Sequence, residues 1–228
     1  TKSWLQLADE IRSEEQALCV VNLKSHAQAL LDELKNDDAI FHLSTNLCPL
    51  HRRMVLEEVR DCLKNGLPCR LISTQCIEAG VDVDFPIVYR ALAPLDAIAQ
   101  AAGRCNREGR LTDGNGNRKM GEVRLFEPEV TGDYRKRYPT RAYFQAAEVT
   151  RSMLTVARQS GHPGLDLNDP LTFREYYRAL YDLSKPETQN GELQDAITNA
   201  DFVRVAQEYR LIDQSAIQVL VPFDKERI

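Results

Sequence analysis

The chain has 228 residues, 43% hydrophobic and 28% charged, with a formal net charge of −5. That balance belongs to a globular protein of one large domain or two small ones and excludes collagen-like, coiled-coil and disordered classes. No apolar run approaches the ~18 residues of a membrane span. The opening Thr1-Lys2-Ser3-Trp4 lacks a basic stretch followed by an apolar one, so no signal peptide is expected. Without an initiator Met, the chain reads as a piece of a longer polypeptide. Six cysteines, none in a C-x-x-C pair, predict no zinc ribbon and point to reduced, partly buried thiols in a cytoplasmic protein.

In chain order, Ala17–Asn22 is an apolar run of strand type, and Ala27, Leu30, Leu31 and Leu34 follow at helical spacing. Ala39–Ser44 is the next strand. Arg53–Asn65 is the next helix, stopped by Gly66 as by a C-cap glycine. Cys69–Thr74, Ile87–Arg90 and Glu122–Phe126 complete five strands. Strands alternating with helices predict an α/β domain: a parallel sheet with helices on both faces. Between the last two strands, Asp113-Gly114-Asn115-Gly116-Asn117 reads as a surface turn.

Past Pro128 the pattern becomes helical. Tyr143, Ala146, Ala147, Thr150, Met153, Leu154 and Ala157 fall on one face, and Gly161-His162-Pro163-Gly164 breaks the run. Asp169-Pro170 opens a second helix with a stripe of Phe173, Tyr176, Tyr177, Leu180 and Tyr181, read as core packing ahead of base stacking. Ala196–Ile212 predicts a third helix and Ile217–Val221 a last strand. The expected division is residues 1–128, a sheet domain, and 129–228, a linker and mostly helical appendage. From Arg104 to Arg141 ten Lys/Arg face six acids, a local +4 in an acidic chain.

Two segments carry chemistry. Gln100-Ala101-Ala102-Gly103-Arg104-Cys105-Asn106-Arg107 closes a helix and presents two guanidiniums, forks suited to phosphate oxygens. Gly103 permits close backbone approach. The plainer reading is a basic helix end favoured by the helix dipole. Ser73-Thr74-Gln75-Cys76-Ile77-Glu78-Ala79-Gly80-Val81-Asp82 begins where a strand ends, the edge at which open α/β sheets bind ligands. Its hydroxyls suit a phosphodiester, Gly80 permits a tight turn and Asp82 presents a carboxylate. The plainer reading is an ordinary strand-to-turn passage.

Together, in this order and about 26 residues apart, these segments resemble motifs V and VI of superfamily 2 nucleic-acid helicases. The resemblance implies the second RecA-like lobe of an ATP-driven motor. Arg104 and Arg107 would then reach the γ-phosphate of ATP, with Arg107 as the arginine finger and Gln100 beside the phosphates. Gly80, Asp82 and Gly103 would border the nucleotide. Ser44, Arg52, Ser73, Thr74 and Gln75 would touch one nucleic-acid strand. The phosphate loop G-x-x-x-x-G-K-[ST] does not occur: Lys24-Ser25 lacks the glycines, and Asp32-Glu33 lies inside a helical pattern. The phosphate loop and the acids holding Mg2+ are therefore expected on another lobe, and this chain alone is expected to hydrolyse ATP negligibly.

Phe41-His42-Leu43-Ser44-Thr45-Asn46-Leu47-Cys48-Pro49-Leu50-His51-Arg52-Arg53 and Ala91-Leu92-Ala93-Pro94-Leu95-Asp96 resemble the type I CRISPR interference helicase–nucleases, in the wording of their I-C branch. The resemblance covers about residues 17–128. It implies a 3′-to-5′ translocase on single-stranded DNA, recruited by a guide-RNA surveillance complex and joined to a histidine–aspartate nuclease using divalent metal. His26, His42, His51 and His162 precede Ala, Leu, Arg and Pro, so that nuclease is not expected here and no metal ligand is assigned. Another superfamily 2 motor, of repair, restriction or RNA metabolism, and a non-catalytic interaction module are the alternatives left open.

Overall fold

The computed structural model describes residues 1–78, 80–129, 133–183 and 191–208. The five predicted strands are β1 (Gln16–Val20), β2 (Ile40–Leu43), β3 (Cys69–Ser73), β4 (Ile87–Ala91) and β5 (Glu122–Phe126). They pair in the order β2-β3-β1-β4-β5, every pair parallel. In the central strand Leu18 lies opposite Leu71 on one side and Val88 on the other. Parallel strands need crossovers, and the crossovers here cover both faces, which is why β1 and β4 are buried almost throughout.

Helices α1 (Trp4–Arg12) and α2 (Lys24–Leu34) cover one face. Leu7, Ile11, Leu30 and Leu34 pack there on Cys19, Ile72 and Tyr89. Helix α1 was not anticipated by the apolar pattern. Its signal is a capping box: Ser3 Oγ accepts from Gln6 N at 3.2 Å, and Ser3 N donates to Gln6 Oε1 at 3.0 Å. The opposite face is covered by α3 (Pro49–Lys64), by the passage after β3 and by α4 (Leu95–Ala102). Val59, Ile77, Val83, Phe85 and Ala101 pack there on Leu18, Leu71 and Val88. Helix α3 starts four residues before the expected Arg53, because Pro49 sits in its first turn, where a missing N–H costs nothing. Gly66 follows it at φ +65°, a conformation that a side chain would strain. The turn at Asp113–Asn117 is as expected: Asp113 Oδ1 accepts from Asn115 N and Asn117 N at 2.9 and 2.8 Å.

After β5, helix α5 (Arg141–Gln159) is capped by Thr140 and buries Ala146, Ala147, Val149, Thr150 and Leu154. Helix α6 (Pro170–Leu183) buries Tyr176 against Leu95 and Val149, with Phe173 and Leu180 beside it. Its aromatic stripe is only partly core: Tyr177 is 44% and Tyr181 76% exposed. Contacts group residues 1–180 as one compact unit, so α5 and most of α6 go with the sheet. The second unit, 181–228, holds α7 (Gly191–Thr198) and α8 (Phe202–Glu208). The single helix expected over Ala196–Ile212 is broken at Ala200, whose φ is +53°, and Asp201 Oδ1 accepts from Arg204 N to start α8. Residues 209–212 and the strand expected at Ile217–Val221 lie outside the described residues. All six cysteines are free thiols.

His26 on α2 is 5% exposed and packs against Trp4, ring centroids 5.3 Å apart. Burial, with Arg137 adding repulsion, pushes its pKa down to about 4. Above the ordinary value of about 6.5 the ring is neutral folded and unfolded and stability is unaffected. Between about 6.5 and about 4 the unfolded chain takes a proton that the folded chain refuses, so stability falls by up to about 3 kcal/mol. Urea unfolding at about pH 7 and about pH 5 is expected to show about 2 kcal/mol of this loss in the natural chain and a smaller one in His26→Phe.

Candidate nucleotide and strand site

The carboxyl edge of the sheet is built from the ends of β1, β2 and β3. Ser73 and Ser44 are both fully buried. Ser73 Oγ donates to Leu43 O at 3.0 Å. Ser44 Oγ is 2.9 Å from His42 Nε2 and accepts from Asn46 N at 3.3 Å. These two hydroxyls therefore shape the loops of the edge: a hydroxyl buried at a sheet edge takes the nearest backbone partner. Thr74 is 5% exposed, with its hydroxyl directed to Cys76 Sγ at 3.6 Å. Gln75 is half-buried, and its Nε2 donates to Asn22 O at 2.8 Å. Arg52 is half-buried in the first turns of α3. With Arg53 and Arg60 it lines a groove of about 300 Å³ whose other wall is Cys76 and Val81.

From Thr74 the chain crosses the covered face and reaches the amino end of β4, with Gly80 at φ +72°, where only glycine fits without strain. From Pro94, α4 crosses the same face in the same direction, about 12 Å at 1.5 Å per residue. The two passages meet at the amino edge. Phe85 N donates to Arg104 O and Asn106 N to Phe85 O, both at 2.9 Å. Asp84 accepts from Arg107 N at 2.7 Å and from Glu108 N at 3.2 Å. Asn106 takes the left-handed conformation (φ +46°), which asparagine tolerates better than most residues.

The two arginines are held differently. Arg104 is half-buried, and its Nη2 donates to Glu78 O at 2.9 Å, with Ile77 O at 3.4 Å from Nε. It clamps the helix end to the passage after β3. Arg107 is half exposed and pairs with Asp82, itself 80% exposed, at 2.6 Å. A pair so open to water is worth ~0–1 kcal/mol. Its guanidinium is available to a stronger anion. Gln100 is exposed on the last turn of α4. Gly103 keeps an ordinary helical φ of −64°, and a side chain there would meet only Gln100 O and Ala99 O, at 3.4 and 3.5 Å. The close approach expected at Gly103 is therefore not imposed by its neighbours in this chain. Gly80, Asp82, Arg104 and Arg107 are brought together, while Thr74, Gln75 and Arg52 lie toward the opposite edge.

Much of the expected basic span is neutralised within the fold. Arg124 pairs with Glu14 and Glu122 at 2.9 and 2.6 Å, and Arg137 with Glu127 at 3.2 Å. Among the described residues there is no cluster of three or more His, Cys, Asp or Glu suited to a metal, and no helix long and apolar enough to cross a membrane.

One feature escaped the reading of the sequence. Arg90 on β4 is fully buried. Its Nη2 lies 2.8 Å from Glu78 Oε1, its Nη1 donates to Asn22 Oδ1 at 2.8 Å and to Ala91 O at 3.0 Å, and its Nη2 donates to Tyr143 Oη at 2.8 Å. Burial raises the Glu78 pKa and Arg90 opposes the rise. Removing one member of such a pair typically costs about 3–5 kcal/mol. The signal was a lone Arg inside Ile87-Val88-Tyr89-Arg90-Ala91-Leu92-Ala93, a run otherwise fit for a central strand.

Residues 13–110 match the family model described as CRISPR-associated nuclease/helicase Cas3, C-terminal. The CRISPR-associated nuclease/helicase Cas3 of Haloferax volcanii is 28% identical over 195 residues, covering 81% of this chain and 20% of that protein. The crystal structure of T. fusca Cas3 superposes with a TM-score of 0.61 at 21% identity, over 88% of this chain and 24% of that one. A structure titled T. fusca Cas3-ATP gives 0.58 at 20%, over the same shares. One titled CRISPR RNA-guided surveillance complex, pre-nicking, gives 0.56 at 18%, over 88% of this chain and 25% of that one. These likenesses establish the RecA-like α/β fold. The chain spans about one-fifth of the length of the curated Haloferax relative. The chain is thus similar to a C-terminal part of the Cas3 nuclease/helicases, most directly over residues 13–110.

Proposed function

We propose that this chain is the second RecA-like lobe, with a helical appendage, of an ATP-dependent 3′-to-5′ translocase on single-stranded DNA, joined to a metal-dependent nuclease and acting in cytoplasmic CRISPR interference. The observation that carries this reading is Arg107, an accessible guanidinium held only by a solvated carboxylate and fixed through its backbone to Asp84. ATP bound with Mg2+, mainly by another lobe, supplies the phosphoryl group whose loss to water powers the cycle. Arg107 exchanges Asp82 for the γ-phosphate and stabilises charge developing there. Arg104, clamped to Glu78 O and Ile77 O, sets the direction of the helix end and stands behind Arg107 rather than beside it. Gln100, Gly103 and Gly80 border the same surface.

At the other edge, Arg52 and the Thr74–Gln75 turn hold the phosphodiester backbone of one strand. Such contacts carry no sequence information and weaken with salt. Support for a helicase joined to a nuclease comes from the family description, and for an RNA-guided surveillance complex as the recruiting partner from the related surveillance-complex structure.

In the full-length protein, Arg107→Ala is expected to lower strand-stimulated ATP turnover by about 10³ or more while single-strand affinity stays within about twofold. Colorimetric phosphate release and fluorescence anisotropy measure the two; equal loss of both would make the arginine structural. Thr74→Ala is expected to show the reverse order, weakening strand binding before turnover at saturating DNA, in the same two assays. The purified 228-residue chain alone is expected to release no phosphate above buffer with or without single-stranded DNA; measurable strand-stimulated turnover would overturn the assignment of the catalytic lobe elsewhere.

A further inference from the structure

Arg90 does more than fill the core. A fully buried guanidinium is costly, and a hydrophobic side chain of similar volume would suit the centre of a parallel sheet at least as well. What it does here is join three elements at one point. Through Glu78 it holds the passage leaving β3, through Asn22 the end of β1, and through Tyr143 the first turn of α5. Asn22 in turn donates to Leu92 O at 2.8 Å and accepts from Gln75 at its own carbonyl. Gln75 is therefore anchored to the network from the strand-facing edge.

Glu78 faces both ways. Its side chain meets Arg90, and its carbonyl accepts from Arg104. Any shift of Glu78 moves the acceptor of Arg104 and the charge partner of Arg90 together. Gln75 and Glu78 lie on one short segment, with a 3₁₀ turn from Gln75 to Ile77 between the strand-facing and nucleotide-facing contacts. Hydrogen-bonded groups in a dry interior have few alternative arrangements, so such a network transmits displacement instead of absorbing it.

We propose that Arg90, Glu78 and Tyr143 are positioning residues that couple strand contact at Thr74–Gln75 to the placement of Arg104 and Arg107, with α5 as a fixed support. The proposal rests on the motor reading above and deepens it: it says how occupation of one edge is felt at the other. Tyr143 is not itself placed against strand or nucleotide; its hydroxyl touches Arg90 and Gln75 and, more weakly, Asn22 at 3.4 Å.

The test uses the full-length protein and a single-stranded oligonucleotide. Tyr143→Phe is expected to keep unstimulated ATP turnover and strand affinity within about twofold, and to cut the maximal stimulation by saturating strand about fivefold, the worth of one hydrogen bond. Glu78→Gln is expected to cut stimulation further, and adding Tyr143→Phe to it to cost less than in the natural background, because the two act through Arg90. Unchanged stimulation in Tyr143→Phe overturns the coupling while leaving the motor reading intact. Loss of affinity, unstimulated turnover and thermal midpoint in parallel with stimulation assigns the network a purely structural role and also overturns it. If the natural protein itself shows no strand-stimulated turnover, the motor reading falls first and the coupling with it.

Discussion

Parallel pairing is the constraint from which the rest follows. A parallel strand cannot be reached by a tight turn, so each connection has to travel back across a face of the sheet. In this chain three such returns share one face: α3 is one, and the other two are the passage from Thr74 to Phe85 and α4 from Leu95 to Ala102. These last two end side by side at the amino edge, stitched by reciprocal backbone bonds between Phe85 and the residues Arg104 and Asn106. Two segments distant in sequence thereby become one surface, and each return runs from one edge to the other.

The two charged pairs of that face differ in kind. Arg107–Asp82 lies in water and is easily exchanged, which suits a group that must meet another molecule. Arg90–Glu78 is sealed from water, which suits a group that must not move independently. The same chemistry, guanidinium and carboxylate, serves opposite ends because the dielectric surroundings differ.

The fold was legible because its signal is local and repeated: apolar runs of strand length alternating with helical spacing leave little freedom in a sheet covered on both faces. The paired arginines were legible because their spacing from the Ser73–Asp82 segment is itself a pattern. Less was visible where the outcome depends on three-dimensional closeness. Ser44 and Ser73 read as strand contacts by residue type, but their depth is set by neighbouring strands that sequence spacing does not reveal. Arg90 read only as the last residue of a strand, since nothing local says that Asn22, Glu78 and Tyr143 converge on it. The break at Ala200 went unseen because alanine favours helix, and it is the Asp201 cap that wins.

Among the described residues, the order β2-β3-β1-β4-β5 leaves two strands with an unpaired flank. One is only four residues long, and the other carries Glu122 and Arg124 and runs on toward Pro128, beside which Lys2 closes a parallel bridge. Brevity, charge and proline are the features that discourage a foreign strand from annealing to a sheet. Both margins of the sheet thus disfavour a further strand, while the returning chain leaves the exposed Arg107–Asp82 pair at a rim.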